Sequence, residues 1–477
     1  MSQEMTVAAP AAGRPAAEGR PRAWNRLRIV SIVVAAFVAL AGVRAITGQP
    51  MLTSSGTFQA ALAFAVPIGL AGLGGLWAER AGIINIGLEG MMVLGTWFGA
   101  YFAYSTGSPW AGLVAGVLGG MAGGLVHALA TVTFGVDHII SGVAINILAV
   151  GAMRYLSLLF FVDTPGGGAS QSPPLPEFPQ VGLPFVADLL APAQESQVFL
   201  VADLAGLVVG LTTQVSVLTL LALLMAPATF VVLWRTPFGL RLRSCGENPD
   251  AAESLGVPVY TYKFTAVLLS GGFAGMGGVF LAMVASSVYQ EGQTGGRGYI
   301  GLAAMIFGNW RPGGLAMGAG LFGFTDALQV RGGGGAVHAL LLLIAVALIA
   351  AGLALLGRAL WRTRRLPLVV FAAGALVAVV AGVAALTLGA PWWWALAGVG
   401  LAVAVGVGAW TARGPVSAVV AVVAGVLVLV WFLGTDSLPG QLVTYSPQMA
   451  TLLVLALASQ RLRAPAGVGR QWRRGRS

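Results

Sequence analysis

Glu89 and Asn85 stand four residues apart in ERAGIINIGLEGMM (79–92), and Asn146 occurs in a second largely apolar stretch, SGVAIN. A carboxylate and two amides can trade hydrogen bonds with the hydroxyls of a sugar or the edge of a base. The four-residue spacing predicts that Asn85 and Glu89 share one helix face, beside Gly82, Gly87 and Gly90, where unwound backbone is tolerated. A charge at membrane depth costs several kcal/mol unless it finds a partner or water. Two readings of the trio therefore stand: it lines a path for a hydroxylated solute, or it ties neighbouring helices together. Arg154 and Asp326 raise the same choice between a buried pair and two groups near the interface.

Other chemistries have little material. Cys245 is the single cysteine, so no disulfide framework or CxxC metal site forms within the chain. In its polar setting Cys245 reads as a small filler. His127, His138 and His338 are isolated in sequence, without the spacing of a metal site. GRGYIG (296–301) matches a dinucleotide-loop pattern, yet no strand precedes it. The only lysine, Lys263, follows Tyr262, so the Gly-Lys step of a Walker A phosphate loop is missing. Neither GxSxG nor HExxH occurs, which leaves a membrane hydrolase without its nucleophile or metal.

The densest polar stretch is RTPFGLRLRSCGENPDAAESLG, from Arg235 to Gly256. Its second half predicts a short helix with both ends marked. Asn248 caps the free N–H groups, Pro249 suits the first helical position, Asp250 meets the positive end of the dipole and Gly256 takes a left-handed stop. A capped helix between membrane spans is a handle for another protein.

GLRLRSCGENPDAAESLGV resembles the cytoplasmic coupling loop of permease subunits in ABC importers of the ribose and branched-chain amino acid class, closest to the nucleoside branch. ERAGIINIGLEGMM, DHIISGVAINILAVG (137–151), GRGYIGLAAMIFGNWRPGG (296–314) and PQMATLLVLALASQRLRAPAGVG (447–469) fit the same branch, in the same order. The resemblance implies translocation, with no cofactor on this chain and no catalysis by it. ATP and Mg would be held by a partner ATPase subunit, a second permease subunit would complete the pathway, and an external solute-binding protein would deliver the solute. It makes Arg241, Arg243, Gly246, Glu247, Asn248, Pro249, Asp250, Ala251, Ala252 and Gly256 the ATPase-coupling residues, while Asn85, Glu89 and Asn146 stay the candidates for the path on their own chemistry. The competing class is an ion-coupled secondary transporter or channel acting without an ATPase. It would want a chain of intramembrane carboxylates or histidines, for which Glu89 and Asp326 are meagre material.

The elements that must position these groups are membrane helices. Hydrophobic residues make up 57 % of the 477, and charged residues only 9 %, against about a quarter in soluble domains. The mean hydropathy is +0.86. The formal charge of +10 is scattered over several loops and does not form a nucleic-acid-binding domain. The expected fold is an all-α polytopic membrane protein, with a core of about ten transmembrane helices and about four inserted near the C-terminus. A first apolar run at 29–46 precedes candidate spans at 57–77, 88–105, 110–132, 139–162, 213–234, 264–287, 299–310 and 313–330. Five more follow at 337–357, 366–388, 392–411, 415–434 and 441–459. The 299–310 segment is too short to cross and is expected to cross half-way or lie buried among neighbours.

The Arg-rich loops at 235–263, 358–365 and 460–477 would face the cytoplasm, with both termini, in the cell membrane. The connection at 163–212 carries acidic residues and no basic one, and would lie outside as a flexible or partner-binding loop. The chain divides into a disordered tail (1–27), a permease core (28–331), inserted helices (332–438), a final core helix (439–463) and a basic tail (464–477). The insertion, poor in polar residues, reads as a lipid-facing accessory bundle. Trp392, Trp393 and Trp394 within it suit a water interface. Clustered glycines at 69–75, 116–124 and 271–278 predict close helix packing.

Overall fold

In lipid every backbone N–H and C=O must be paired within the protein, and the helix does this locally. The described residues use it for most of their length. The computed structural model describes residues 22–363, 415–444 and 462–473. α1 (Arg22–Thr47), α2 (Ser55–Arg80), α3 (Leu88–Thr106), α4 (Pro109–Ala128) and α5 (His138–Phe160) come first. Next are α6 (Pro184–Glu195), α7 (Val201–Thr212), α8 (Val217–Arg235), α9 (Pro237–Glu247) and α10 (Pro249–Ser254). α11 (Val259–Phe280), α12 (Arg297–Phe307), α13 (Pro312–Thr363), α14 (Pro415–Gly434) and α15 (Gly440–Thr444) follow. Two-residue strands, β1 (Gln180–Val181) and β2 (Val215–Ser216), pair antiparallel, Gln180 with Ser216 and Val181 with Val215. Among the described residues six helices are long and apolar enough to cross a membrane. The all-α polytopic fold follows.

The bundle is built around α2 and α11. Of their most apolar stretches 67 % and 78 % lie buried, against 28 % for α5 and α8, which form the periphery. Glycine permits this centre. Gly271 and Gly275 of α11 face Gly116, Gly120 and Gly124 of α4 backbone to backbone; a Cβ on Gly275 would sit 3.0 Å from the Cα of Gly120. Ser54 caps α2 through the Thr57 N–H, and Asp137 caps α5 through the N–H groups of Ile139 and Ile140.

α12 has 11 residues and lies beside the second half of α2. At its start Arg297 stands over the Phe64 ring, 5.6 Å from the centroid. Just past its end the Trp310 carbonyl accepts from Arg80 Nη2 at 2.6 Å, and Trp310 Nε1 donates to Glu79 at 2.6 Å. α12 therefore starts level with the middle of α2 and finishes at its end.

Several sequence expectations need correcting. The 163–212 connection is folded: it contains β1, α6 and α7, and its Asp203 is fully buried in an ion pair with Arg44 at 2.7 Å. Its segment near 170–175 also pairs with 287–291, as in Ser172 N–H to Tyr289 O at 3.0 Å. The gain from pairing buried polar groups outweighs the loop-like composition. α1 begins at Arg22, ahead of its apolar run, because the flanking Arg, Ala and Leu residues are good helix formers. The runs at 313–330 and 337–357 join as α13 through a kink at Gly333, whose φ of 56° and ψ of −159° only glycine readily adopts. α14 packs on the second limb, where Gly425 meets Ala345 and Ile349. The expected spans at 366–388 and 392–411, Trp392, Trp393 and Trp394, most of 441–459 and the first 21 residues lie outside the described residues.

Candidate functional site

Two groups of predicted residues occupy two places. The first surrounds the start of α12. Asn85 precedes α3 and Glu89 lies in its first turn, so the two do not share a helix face. The turn at 81–87, opened by Gly82 at φ 89°, separates them. Glu89 Oε1 accepts from the Gly296 N–H at 2.8 Å and Oε2 from the Gly298 N–H at 2.7 Å. The carboxylate thus lies at two helix N-termini, its own and that of α12, and both positive dipole ends favour its charge. Gly298 has to be glycine for this approach: a Cβ there would lie 2.6 Å from the Glu89 nitrogen.

Asn146, on α5, closes the same junction. Its Oδ1 accepts from the Gly90 N–H at 2.7 Å, and its Nδ2 donates to Ile86 O at 3.0 Å and to Tyr299 Oη at 2.7 Å. Tyr299, 46 % exposed, is the side chain that emerges from the junction, and sequence reasoning passed over it. Asn85 turns the other way, donating to Ser270 Oγ at 2.9 Å, while its buried Oδ1 has no hydrogen-bond partner. Arg154 and Asp326 do not pair. Arg154, 67 % exposed in its side chain, reaches Glu291 at 3.7 Å, and Asp326 reaches Arg297 at 3.9 Å. Position on different helices, invisible in sequence, decides those partners.

The second group forms a corner on the end of the bundle. Thr236 Oγ1 accepts from the Gly239 N–H at 3.1 Å and starts α9 at Pro237. Asn248 Oδ1 accepts from the Ala251 N–H at 3.0 Å and starts α10 at Pro249. Gly256, at φ 80°, ends it. α9 was missed in sequence, although Thr-Pro is the same cap-then-proline signal as Asn-Pro.

The corner is seated by Leu242, Cys245 and Ala252, buried against Trp77, Val259 and Tyr262. Burial pushes the Cys245 thiol up to about 11, so it stays an unreactive filler. Of the expected coupling residues, Arg241, Glu247, Asn248, Asp250, Ala251 and Gly256 are exposed. Gly246 and Ala252 are buried, and Arg243 and Pro249 are half-buried. Arg243 donates to Leu233 O at 2.9 Å and lies over Trp234, which makes it a brace within the corner. At the tip stands Leu255, 85 % exposed, an apolar knob that sequence reasoning did not single out.

A bundle of apolar helices, with a short helix clamped by polar side chains and a seated helical corner at one end, has the build of a multi-pass membrane protein. Residues 57–352 match the family described as the branched-chain amino acid transport system / permease component, and the chain belongs to that family. The match runs through the kink at Gly333 to residue 352. The chain is 36 % identical over 281 residues to the guanosine ABC transporter permease protein NupQ of Bacillus subtilis, covering 57 % of this chain and 81 % of that one. It is 36 % identical over 283 residues to the nucleoside ABC transporter permease protein NupC of Lactococcus lactis subsp. cremoris, with the same coverage of 57 % and 81 %. A putative glucose ABC transporter permease protein of Haloferax volcanii is 35 % identical over 281 residues, 59 % of this chain and 79 % of that protein. No solved structure matches. The chain is a multi-pass permease subunit of an ABC transporter and is not itself catalytic.

Proposed function

We propose that this permease subunit imports a nucleoside or a related sugar-containing solute by alternating access, driven by a separate ATPase subunit that grips the α9–α10 corner. The observation that carries the reading is the corner itself. α10 is capped at both ends and seated by Ala252, while exposed Asp250 and the exposed cap residues Asn248 and Leu255 are open to a partner. An exposed apolar residue at the end of a seated helix with polar neighbours has the anatomy of a docking anchor. The solute class comes from the relatives, whose names specify guanosine, nucleoside and glucose.

Exposed Arg235, Arg241, Arg463, Arg470 and Arg473 on the described loops and tail support placing this end, and both termini, on the cytoplasmic side of the cell membrane. ATP and Mg are then held by the ATPase, a second permease subunit covers peripheral faces such as that of α5, and an external binding protein delivers the solute. Asn146 and Tyr299 border the path at the junction where Glu89 clamps α12, Asn85 braces the turn behind it against Ser270, and tilting of α12 at that junction opens or closes the path. The carboxylates that an ion-coupled transporter would use, Glu89 and Asp326, are engaged by backbone N–H groups and by Arg297.

The test is uptake of a mixture of tritiated nucleosides into proteoliposomes holding the permease, its ATPase and its binding protein. ATP-dependent uptake is expected, with a loss of at least tenfold in Leu255→Asp while the permease still inserts. Full uptake without ATP, or unimpaired uptake in Leu255→Asp, would overturn the reading.

A further inference from the structure

Residues 462–473 lie across one end of the bundle and touch α9, α10, α11 and three connections between helices. The Arg463 N–H donates to Asn309 Oδ1 at 2.8 Å, beyond α12. The Ala466 N–H donates to Glu247 Oε2 at 3.1 Å, and the Gly467 N–H to Gly246 O at 2.8 Å, at the α9–α10 corner. The Gly469 N–H donates to Gly82 O at 3.1 Å, in the turn between α2 and α3. Trp472 Nε1 donates to Asp250 Oδ1 at 2.6 Å on α10. Its ring lies 5.6 Å from Lys263 Nζ and 5.2 Å from the Tyr260 ring, both on α11. Arg473 Nη2 reaches Phe134 O at 2.6 Å, beyond α4.

The crossing is built for backbone contact. Gly82, Gly246 and Gly467 converge from three separate segments. A Cβ on Gly467 would lie 2.9 Å from Gly246 O, and one on Gly82 would lie 3.3 Å from the Gly246 Cα and 3.4 Å from Gly467 O. A Cβ on Gly246 would collide with the Arg80 carbonyl. Gly82 at φ 89° and Gly469 at φ 77° set the turns that bring the segments together.

We propose that residues 462–473 form a strap that carries ATPase movement from α10 to the 81–87 turn, with Trp472 as its positioning residue. This rests on the α9–α10 corner being the ATPase platform. The corner alone touches the 81–87 turn through the Gly246 and Gly82 backbones. The strap fastens both, because its backbone bonds to Gly246 and Gly82 lie two residues apart on one short segment. Its Trp472 then holds α10 at Asp250, the exposed side that a partner would pull. The 81–87 turn leads directly into Asn85, Gly87 and Glu89, so a displacement of the strap shifts the junction that clamps α12. Glu247 and Asp250 therefore face the strap as well as the partner, which their sequence position could not reveal.

The test uses the permease–ATPase complex with Cys245→Ser as background and Tyr299→Cys as reporter of the junction. Thiol labelling of the reporter is followed without nucleotide and with ATP trapped by vanadate. With the strap intact the labelling rate should change severalfold between the two states. In Trp472→Ala, and in a chain cut after Arg463, the ATPase should still co-purify and hydrolyse ATP while the labelling rate becomes the same in both states. Trp472→His, which keeps a ring N–H for Asp250, should recover most of the response. A nucleotide-dependent response that survives the cut would overturn the strap alone. Failure of the ATPase to co-purify with the intact chain would remove the platform, and the strap proposal with it. Loss of co-purification only in the cut chain would make the segment a docking element and also overturn its role in transmission.

Discussion

Glu89 shows how one carboxylate can be held at membrane depth without a cation. Its two oxygens meet two backbone donors at a helix start, at 2.8 and 2.7 Å, so every part of the charge is met by an oriented dipole. Glu89→Gln keeps the shape but offers only one oxygen, leaving the second N–H facing an amide NH2. The expected outcome is a loss of about 1–3 kcal/mol, the usual cost of stranding a buried donor, read as a lower thermal unfolding midpoint of the purified permease. The two asparagines should separate in the same assay. Asn146→Ala removes bonds to Gly90, Ile86 and Tyr299, whereas Asn85→Ala removes the bond to Ser270 and an oxygen already without a partner. Asn146→Ala should therefore be clearly the more destabilising, and equal midpoints would contradict the geometry.

Helices meet here by small residues, since burial of apolar surface gives little drive in lipid and close van der Waals contact must serve instead. Gly275 of α11 touches α3 at Gly95 and α4 at Gly116 and Gly120, so a larger side chain has no free direction. Gly275→Val should cost at least about 1–3 kcal/mol from overpacking and lower the yield of folded protein in detergent. Gly151 on α5, where an added Cβ would meet nothing within 4 Å, is the control: Gly151→Ala should change stability by no more than about 1 kcal/mol. Glycine clusters were legible in sequence as packing signals. Which cluster met which was not, because α4 and α11 are more than a hundred residues apart and sequence carries no distance between them.

Across the whole molecule, long-range polar ties bind the bundle at both ends. At one end residues 462–473 gather α9, α10, α11 and three connections between helices. At the other, Arg44 of α1 pairs with Asp203 of α7 at 2.7 Å, with Thr53 donating to the same carboxylate at 2.5 Å. Both charged side chains are almost fully buried, at 7 % and 0 % exposure, so removing one strands the other in a low-dielectric site. Arg44→Met should destabilise by about 3–5 kcal/mol, while Arg44→Met with Asp203→Leu should recover much of that loss in the same unfolding assay. No recovery in the double variant would mean that the pair does not act as a unit.

The sequence alone determined class and local chemistry, because these depend on what each segment is made of: apolar runs of spanning length, the cap, proline and glycine of α10, and the shortness of α12. It also placed Glu89 and Asn146 among the polar groups that need partners in lipid. Only the tertiary structure decided who those partners are. Glu89 finds backbone N–H groups more than two hundred residues away, Asp326 takes Arg297 in preference to Arg154, and the tail meets Glu247 and Asp250 across a similar gap. A polar group in lipid will bond to whatever donor or acceptor packing brings within about 3 Å, and helix packing is set by surfaces formed from residues far apart along the chain.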